Sequence, residues 1–491
     1  MARHVLIVHG WSDSSRSFHS LARFLEVHDY EPKILWLGDY ISRDDDVRVE
    51  DVGKRMNEVI QQKITAGELT PPFDMIVHST GGLVAREWLT TYYRNAVQSC
   101  PMKRLIMLAP ANYGSKLAAT GKSFLGRVVK GYNNWFETGT SMLNDLELSS
   151  PYQWELAQRD VLLRPGDDTT RYYCTDGVWP FVIVGTHPYA GALRQIVNED
   201  GSDGTVRVCA ANLNARGITL DFRETAEDKI FTPWQSRLDA ETPLAVLPTR
   251  THGSIVDPDR SDRDNQENIS ETLEEKELLG KMILRALACT DFQDYGAIRS
   301  EWDQITEATA GRRLHPPEGA KPEYYHQYMQ INTRVADNFS RPVTDYFLEF
   351  FSDTKRAYEK ANVYLHGKVI ESVKTNSVNP ALRNLYFDNT DLREGYYQQL
   401  PHGAAKVVYM SLSAASPGNN INYFQRERIG AEQEIQLHLS DDPSREHRWL
   451  RRNMTHFVEI IIPRIPNANV FKLTNFASMA PPPSGADGTG D

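Results

Sequence analysis

The chain has 491 residues, 40% of them hydrophobic and 24% charged, and a formal net charge of -11. That length exceeds what one core usually serves, so two or more domains are expected. The acidic balance argues against a phosphate-tracking surface for nucleic acid. Four scattered cysteines without a CxxC pair argue against a disulfide framework or a zinc site.

The opening "MARHVLIVHG" passes almost at once into an apolar strand and then a glycine, with no small-residue cleavage site, and no run is long enough to span a membrane. The expectation is a soluble, cytoplasmic protein. Residues 5–8 are a β-rich apolar run of the buried parallel kind. After the polar loop "HGWSDSSRSF", Phe18, Leu21, Ala22, Phe24 and Leu25 fall at helical spacing. "PKILWLG" reads as the next strand, and Val52, Met56, Val59, Ile60 and Ile64 mark a second helix. "FDMIVHS" is a strand, "GGLVAREWLTTYY" a helix and "KRLIMLAP" a strand. Strands alternating with helices predict a doubly wound, mostly parallel α/β sheet.

The rhythm then breaks, because about seventy residues separate "RLIMLAP" from "PFVIVGT", far more than an ordinary connection. Phe124, Leu125, Val128, Val129, Trp135, Phe136, Met142, Leu143 and Leu146 predict a mostly helical cap inserted at residues 115–178. In "ENISETLEEKELLGKMILRAL", Ile269, Leu273, Met282, Ile283 and Leu287 share a helical face that would close the first domain near residue 295. Residues 296–325 read as a linker through "RRLHPPEGAKPEYY". Residues 326–478 carry short alternating runs, "DYFLEF", "NVYL", "RNLYF", "KVVYMSLS", "EIQLHLS", "FVEIIIP" and "VFKLT", and predict an all-β sandwich-like domain. The tail 479–491 reads as disordered.

The chemistry-bearing stretch is "IVHSTGG", a serine at a sharp turn between strand and helix. Such a turn lifts a hydroxyl above the sheet edge. The usual glycine two residues before the serine is replaced by Val77. A serine hydroxyl needs a base to take its proton, and "GSDGTVRV" and "RTHGSIVDP" offer Asp203 and His252 in the chain order Ser79, Asp203, His252. An oxyanion needs two backbone N–H groups, expected from Thr80 and, in the loop after the first strand, from Trp11, with Gly10 allowing close approach. His78 and Gly81 are read as supports of the turn. Asp200 competes with Asp203, and His187 competes with His252 but precedes the acid.

These motifs together resemble the α/β-hydrolases of the lipase and esterase type, over residues 3–290. "VHGW" resembles the lipase oxyanion loop, "HSTGGLVAREWL" the nucleophile elbow and its helix, "LAPANYGSKLA" the segment before the lid, "SDGTV" the acid loop and "THGSI" the histidine loop. The resemblance implies Ser79 as nucleophile, His252 as general base and then acid, Asp203 as the orienting carboxylate, and no cofactor. It also implies an acyl ester or lipid substrate; a thioesterase or acyltransferase would use the same residues. The C-terminal residues resemble no family, and contact with a membrane surface or partner protein is expected there; the rival reading is a non-catalytic binding protein on the same scaffold. "ATGKSFLG" fails as a phosphate loop, since Lys116 stands five residues before Gly121 where glycine is needed. Glu199, Asp200 and Asp203 lack EF-hand spacing, and no metal is expected.

Overall fold

A computed structural model describes residues 3–8, 15–35, 46–120, 140–189, 198–224, 230–259, 271–406, 408–423, 426–429, 449–468 and 470. Its longer N-terminal strands are β1 (Arg3–Val8), β2 (Tyr30–Leu35), β3 (Phe73–His78), β4 (Met102–Leu108), β5 (Trp179–Gly185), β6 (Ala215–Asp221), β7 (Phe231–Pro233) and β8 (Leu244–Leu247). Six of them form one parallel sheet in the order β8-β5-β4-β3-β1-β2. Every residue of β3 and of β5 is buried, the continuous pattern expected of a sheet covered on both faces. The covering helices include α1 (Ser15–Val27), α2 (Val49–Thr65), α3 (Gly81–Tyr92), α4 (Pro151–Asp160), α5 (Leu273–Leu287) and α6 (Phe292–Gly311). In α1 the expected face is realised, with Phe18, Leu21, Phe24 and Leu25 in the core. The strand order reverses at β1, which has β2 on one side and β3 on the other. The carboxyl ends of strands at such a reversal are where open α/β sheets place their ligands.

The second sheet is mixed. It uses β9 (Tyr328–Asp337), β11 (Ile370–Thr375), β12 (Leu382–Asp388) and β15 (Thr455–Ile462), and it takes β6 and β7 from the N-terminal half, in the order β11-β12-β9-β15-β6-β7. Strand β15 lies parallel to both β9 and β6; the other pairs are antiparallel. The β region also has a three-stranded antiparallel sheet of β10 (Tyr346–Phe351), β13 (Tyr409–Ala414) and β14 (Arg426–Ile429), and a two-stranded antiparallel pair of Ile421–Tyr423 with Arg464–Pro466. Phe350, Met410 and Leu412 of the small sheet share one core with Leu385, Phe387, Ile460 and Ile462 of the large one. The α/β sheet with an additional β region is therefore as the sequence predicts.

Four details differ from the sequence reading. The expected linker 296–325 is largely helix α6, whose Ile298 and Trp302 are buried against the first core. "NVYL" is helical, not extended, because Ala361, Leu365 and Val369 recur every four residues and are all fully buried. Leu273 stands 72% exposed at the start of α5, outside the buried face. Strand β9 escapes a hydropathy reading because Gln330, Asn332 and Thr333 are buried within it. Of the predicted cap, helices Lys116–Thr120, Thr140–Leu146 and α4 are described, with Met142, Leu143 and Leu146 buried. Phe124, Leu125, Val128, Val129, Trp135, Phe136, the strand "EIQLHLS" and the tail 479–491 lie outside the described residues.

Candidate active site

Ser79 follows the last residue of β3 and precedes α3, whose first residue is Gly81. Its φ of 54° lies in the left-handed region, a strained conformation for a residue with a Cβ. The turn is pinned on three sides. Ser79 donates its N–H to the Leu108 carbonyl at 3.1 Å, and its own carbonyl accepts from Gly82 and Ala111, each at 3.1 Å. Strand β1 ends at Val8, paired with Val77. Val77 is itself buried between Val8 and Met107, so a β-branched side chain fills core volume where the usual pattern has glycine. The close approach falls instead at Gly82, where a Cβ would stand 2.7 Å from Pro110 Cβ.

The three residues of the expected constellation meet although 173 and 49 positions separate them along the chain. Ser79 Oγ lies 3.1 Å from His252 Nε2, and His252 Nδ1 lies 2.8 Å from Asp203 Oδ2. All three are at most 2% exposed. The second carboxylate oxygen, Asp203 Oδ1, accepts the Thr205 N–H at 2.9 Å and the Val206 N–H at 2.7 Å. The His252 N–H donates to the Asp203 carbonyl at 2.9 Å. An imidazole held this way can take a proton from the hydroxyl on one nitrogen while the carboxylate fixes the other.

His78 packs its ring 4.6 Å from that of His252 and its Nε2 donates to the His252 carbonyl at 3.1 Å, so it supports the histidine loop. Thr80 is buried at the N-terminus of α3. Gly10 and Trp11 lie outside the described residues. His187 places its Nδ1 on the Pro188 carbonyl at 2.8 Å and donates its N–H to the Arg250 carbonyl at 3.2 Å, two residues before His252. The carbonyl of Asp200 accepts the Tyr386 hydroxyl at 2.7 Å, and Glu199 pairs with Arg207. The four cysteines are free thiols.

Three buried arginines around the site were not singled out from the sequence. Arg86, on α3, binds both carboxylate oxygens of Asp160 on α4, at 2.7 and 2.9 Å, and the Asn112 carbonyl at 2.8 Å. Burial works to lower its pKa, and the Asp160 carboxylate outweighs that and raises it. Arg250 ties the histidine loop to the carbonyls of Ser254, Asp257 and Lys276. Arg207, four residues after Asp203, reaches into the second sheet. The available signal was a lone arginine inside an apolar stretch, as in "LVAREWL" and "TVRVCAA": such a charge is tolerated in a core only when paired.

The fold has a known counterpart. Phospholipase PlaB from Legionella pneumophila is 25% identical to this chain, with 98% of this chain and 97% of that chain covered and a TM-score of 0.75. The same phospholipase in complex with thio-NAD matches at 25% identity over 98% of both chains, with a TM-score of 0.73. The mature lipase BlEst2 from Bacillus licheniformis is 16% identical over 43% of this chain and 79% of its own, with a TM-score of 0.32. No protein-family model matches the chain, and no curated protein matches it. Among the described residues no helix is long and apolar enough to cross a membrane. The chain is an ester hydrolase of the α/β-hydrolase, lipase and esterase type.

Proposed function

We propose that this protein hydrolyses lipid carboxylic esters, phospholipids among them, through Ser79, His252 and Asp203. The observation that carries the mechanism is the hydroxyl–imidazole–carboxylate chain, 3.1 Å and 2.8 Å long at its two links. Ser79 Oγ attacks the ester carbonyl carbon as His252 Nε2 takes its proton. The tetrahedral oxyanion rests on the N–H groups of Thr80 and Trp11. The imidazolium, held by Asp203, passes the proton to the leaving alcohol as the C–O bond breaks. Water then adds to the acyl carbon, giving a proton to His252 Nε2, and as the second tetrahedral intermediate collapses the C–Oγ bond breaks, the imidazolium returns that proton to Ser79 Oγ and the fatty acid leaves. The likeness to a phospholipase over nearly the whole chain supports the lipid substrate. Contact with a lipid surface through the C-terminal half belongs to the same proposal, since Phe339, Phe347 and Val363 stand at least 60% exposed there.

Labelling by a fluorophosphonate probe, lost in Ser79→Ala, is the expected result for the nucleophile. Folded wild type that resists the probe would overturn the mechanism. Fatty-acid release from phosphatidylcholine vesicles, compared with a water-soluble short ester and an acyl thioester, tests the substrate: turnover of the short ester alone refutes the lipid reading. Vesicle co-sedimentation that Phe339→Ser, Phe347→Ser and Val363→Ser together leave unchanged refutes the surface contact.

A further inference from the structure

The acid turn of the site belongs as much to the second sheet as to the first. Ser202 bridges to Arg207 across the turn, and Val208 donates its N–H to the Gly201 carbonyl at 2.9 Å, so Asp203 sits at the tip of a closed loop. From the base of that loop the Arg207 side chain, 1% exposed, enters the polar interior of the second sheet. Its Nε and Nη2 grip Glu199 at 2.6 and 2.9 Å. Its Nη1 donates to Asn384 Oδ1 on β12 at 2.6 Å and to Gln330 Oε1 on β9 at 3.3 Å. Nη2 also donates to Ser372 Oγ on β11 at 3.2 Å. Every N–H of the guanidinium is thereby engaged, and the Tyr386 ring lies 3.8 Å from its carbon. Burial works to raise the Glu199 carboxyl, but Arg207 outweighs it and holds it at about 2.

A second anchor reaches the other end of the loop. Tyr328 of β9 and Tyr386 of β12 stack at 4.9 Å, and the Tyr386 hydroxyl donates to the Asp200 carbonyl at 2.7 Å. Gly201, with φ of +72°, lies flat on this pair; a Cβ there would run into the Tyr328 ring. Asn384 is held in turn by Gln330 and Asn332, and Gln330 by Thr455 on β15. The seat of the acid turn is therefore built from four strands that follow residue 326 in the chain.

We propose that Arg207 is a positioning residue for the hydrolase: it seats the Asp203 turn on the second sheet, so the C-terminal half sets catalytic geometry. The inference rests on the triad reading above. A displacement of about 1 Å in a catalytic group lowers rates by on the order of 100-fold. The first domain holds the acid turn through Ser115 Oγ on the Thr205 carbonyl at 2.7 Å and the His252 N–H on the Asp203 carbonyl at 2.9 Å; the C-terminal half holds it through this arginine and the tyrosine pair. Truncating either anchor should act only through Asp203.

That dependence is testable in the full chain by double-mutant cycles. Turnover of a chromogenic ester and the second-order rate of fluorophosphonate labelling are measured for wild type, Arg207→Met, Tyr386→Phe, Asp203→Asn and the two doubles. Arg207→Met should lower kcat by roughly 10- to 100-fold with KM within about 2-fold, and Tyr386→Phe, which keeps the stacked ring, by about 3- to 10-fold. On the Asp203→Asn background each should cost less than about 2-fold. The labelling rate remains readable where turnover is lost. If Arg207→Met fails to fold, the Tyr386→Phe cycle decides. Losses that multiply on the Asp203→Asn background would make both residues merely structural and overturn the inference. Wild-type activity in Ser79→Ala or Asp203→Asn would instead overturn the triad reading on its own.

Discussion

Replacing Asp203 by asparagine isolates what the carboxylate does, because the two side chains have nearly the same shape. Asp203 is fully buried. Its Oδ1 satisfies two backbone N–H groups, at 2.9 and 2.7 Å, while Oδ2 takes His252 Nδ1 at 2.8 Å. Asparagine has one oxygen for these two jobs. With the oxygen kept on the Thr205 and Val206 amides, its NH2 faces His252 and donates to Nδ1. The imidazole proton then sits on Nε2, which can no longer accept from Ser79. Turning the amide over restores the histidine tautomer but leaves two buried N–H groups facing another donor, at about 1–3 kcal/mol each. The productive form is thus about 2–6 kcal/mol above the unproductive one, and at ~1.4 kcal/mol per decade kcat should fall between roughly 30-fold and 10⁴-fold. Steady-state release of p-nitrophenol, with thermal unfolding as a check on folding, measures it. A folded Asp203→Asn protein within about 3-fold of wild type would refute the orienting role and the geometry behind it.

Other perturbations read other parts of the structure. Gly82→Ala should force the elbow away from Pro110 and lower kcat by at least about 10-fold while the protein still folds, because the added Cβ would meet Pro110 at 2.7 Å; unchanged kcat with unchanged melting would show that the turn yields freely. Val77→Gly should do the opposite, losing about 2–4 kcal/mol of stability through a lost buried valine and a strand glycine, with kcat/KM of the folded enzyme intact; chemical denaturation alongside kinetics separates the two. Arg86→Met should destabilise by about 3–5 kcal/mol, since Asp160 is left charged in the core, and Arg86→Met with Asp160→Leu should recover most of it. In His456, fully buried, burial depresses the imidazole pKa to about 3 from an ordinary 6.5. Its folded pKa lies below its unfolded one, so the stability it contributes is complete above pH 6.5 and declines as pH falls toward 3. Urea midpoints measured across that window should drop, and a pH-independent midpoint from 6.5 down to 4 would contradict it.

What the sequence reveals about the site and what it hides divide along one physical line. Ser79, Asp203 and His252 are legible because each sits in a turn whose local chemistry is itself constrained. The elbow wants small residues after the serine, the acid turn wants glycine beside the aspartate, and both are written within a few positions. The residues that hold those turns act over long separations. Arg207 meets Asn384 177 positions away and Ser372 165 positions away, and no pattern along the chain announces such a meeting. The same holds for the fold. Strands β3, β4 and β5 each carry an apolar run of three or more residues, whereas β9 does not, because Gln330, which receives Arg207, and Asn332, which receives Asn384, are buried within it.

The hidden parts also change how the two halves of the chain are to be understood. An isolated α/β-hydrolase sheet can supply the elbow and the histidine loop from its own carboxyl edge. Here the segment after β5 leaves the first sheet, makes the acid turn, and continues as β6 into the second sheet beside β15. Phe457 of β15 packs edge-on against Trp154 of α4 at 5.0 Å and against Tyr113 at 5.5 Å, and the Tyr113 hydroxyl donates to the Leu213 carbonyl just before β6. The chain thus crosses between sheets at the acid, with aromatic packing on one side of the crossing and the Arg207 network on the other. Cutting the protein near residue 295 would remove β15, β9 and β12 together, exposing the open edge of β6 and leaving Arg207 and Glu199 paired but without the Asn384, Gln330 and Ser372 contacts. A fragment ending there should therefore fail as a catalyst before any question of membrane or partner contact arises. Recovery of activity on adding the separate C-terminal half would locate the loss in the seating of Asp203; full activity of the fragment alone would return the second sheet to a role outside catalysis.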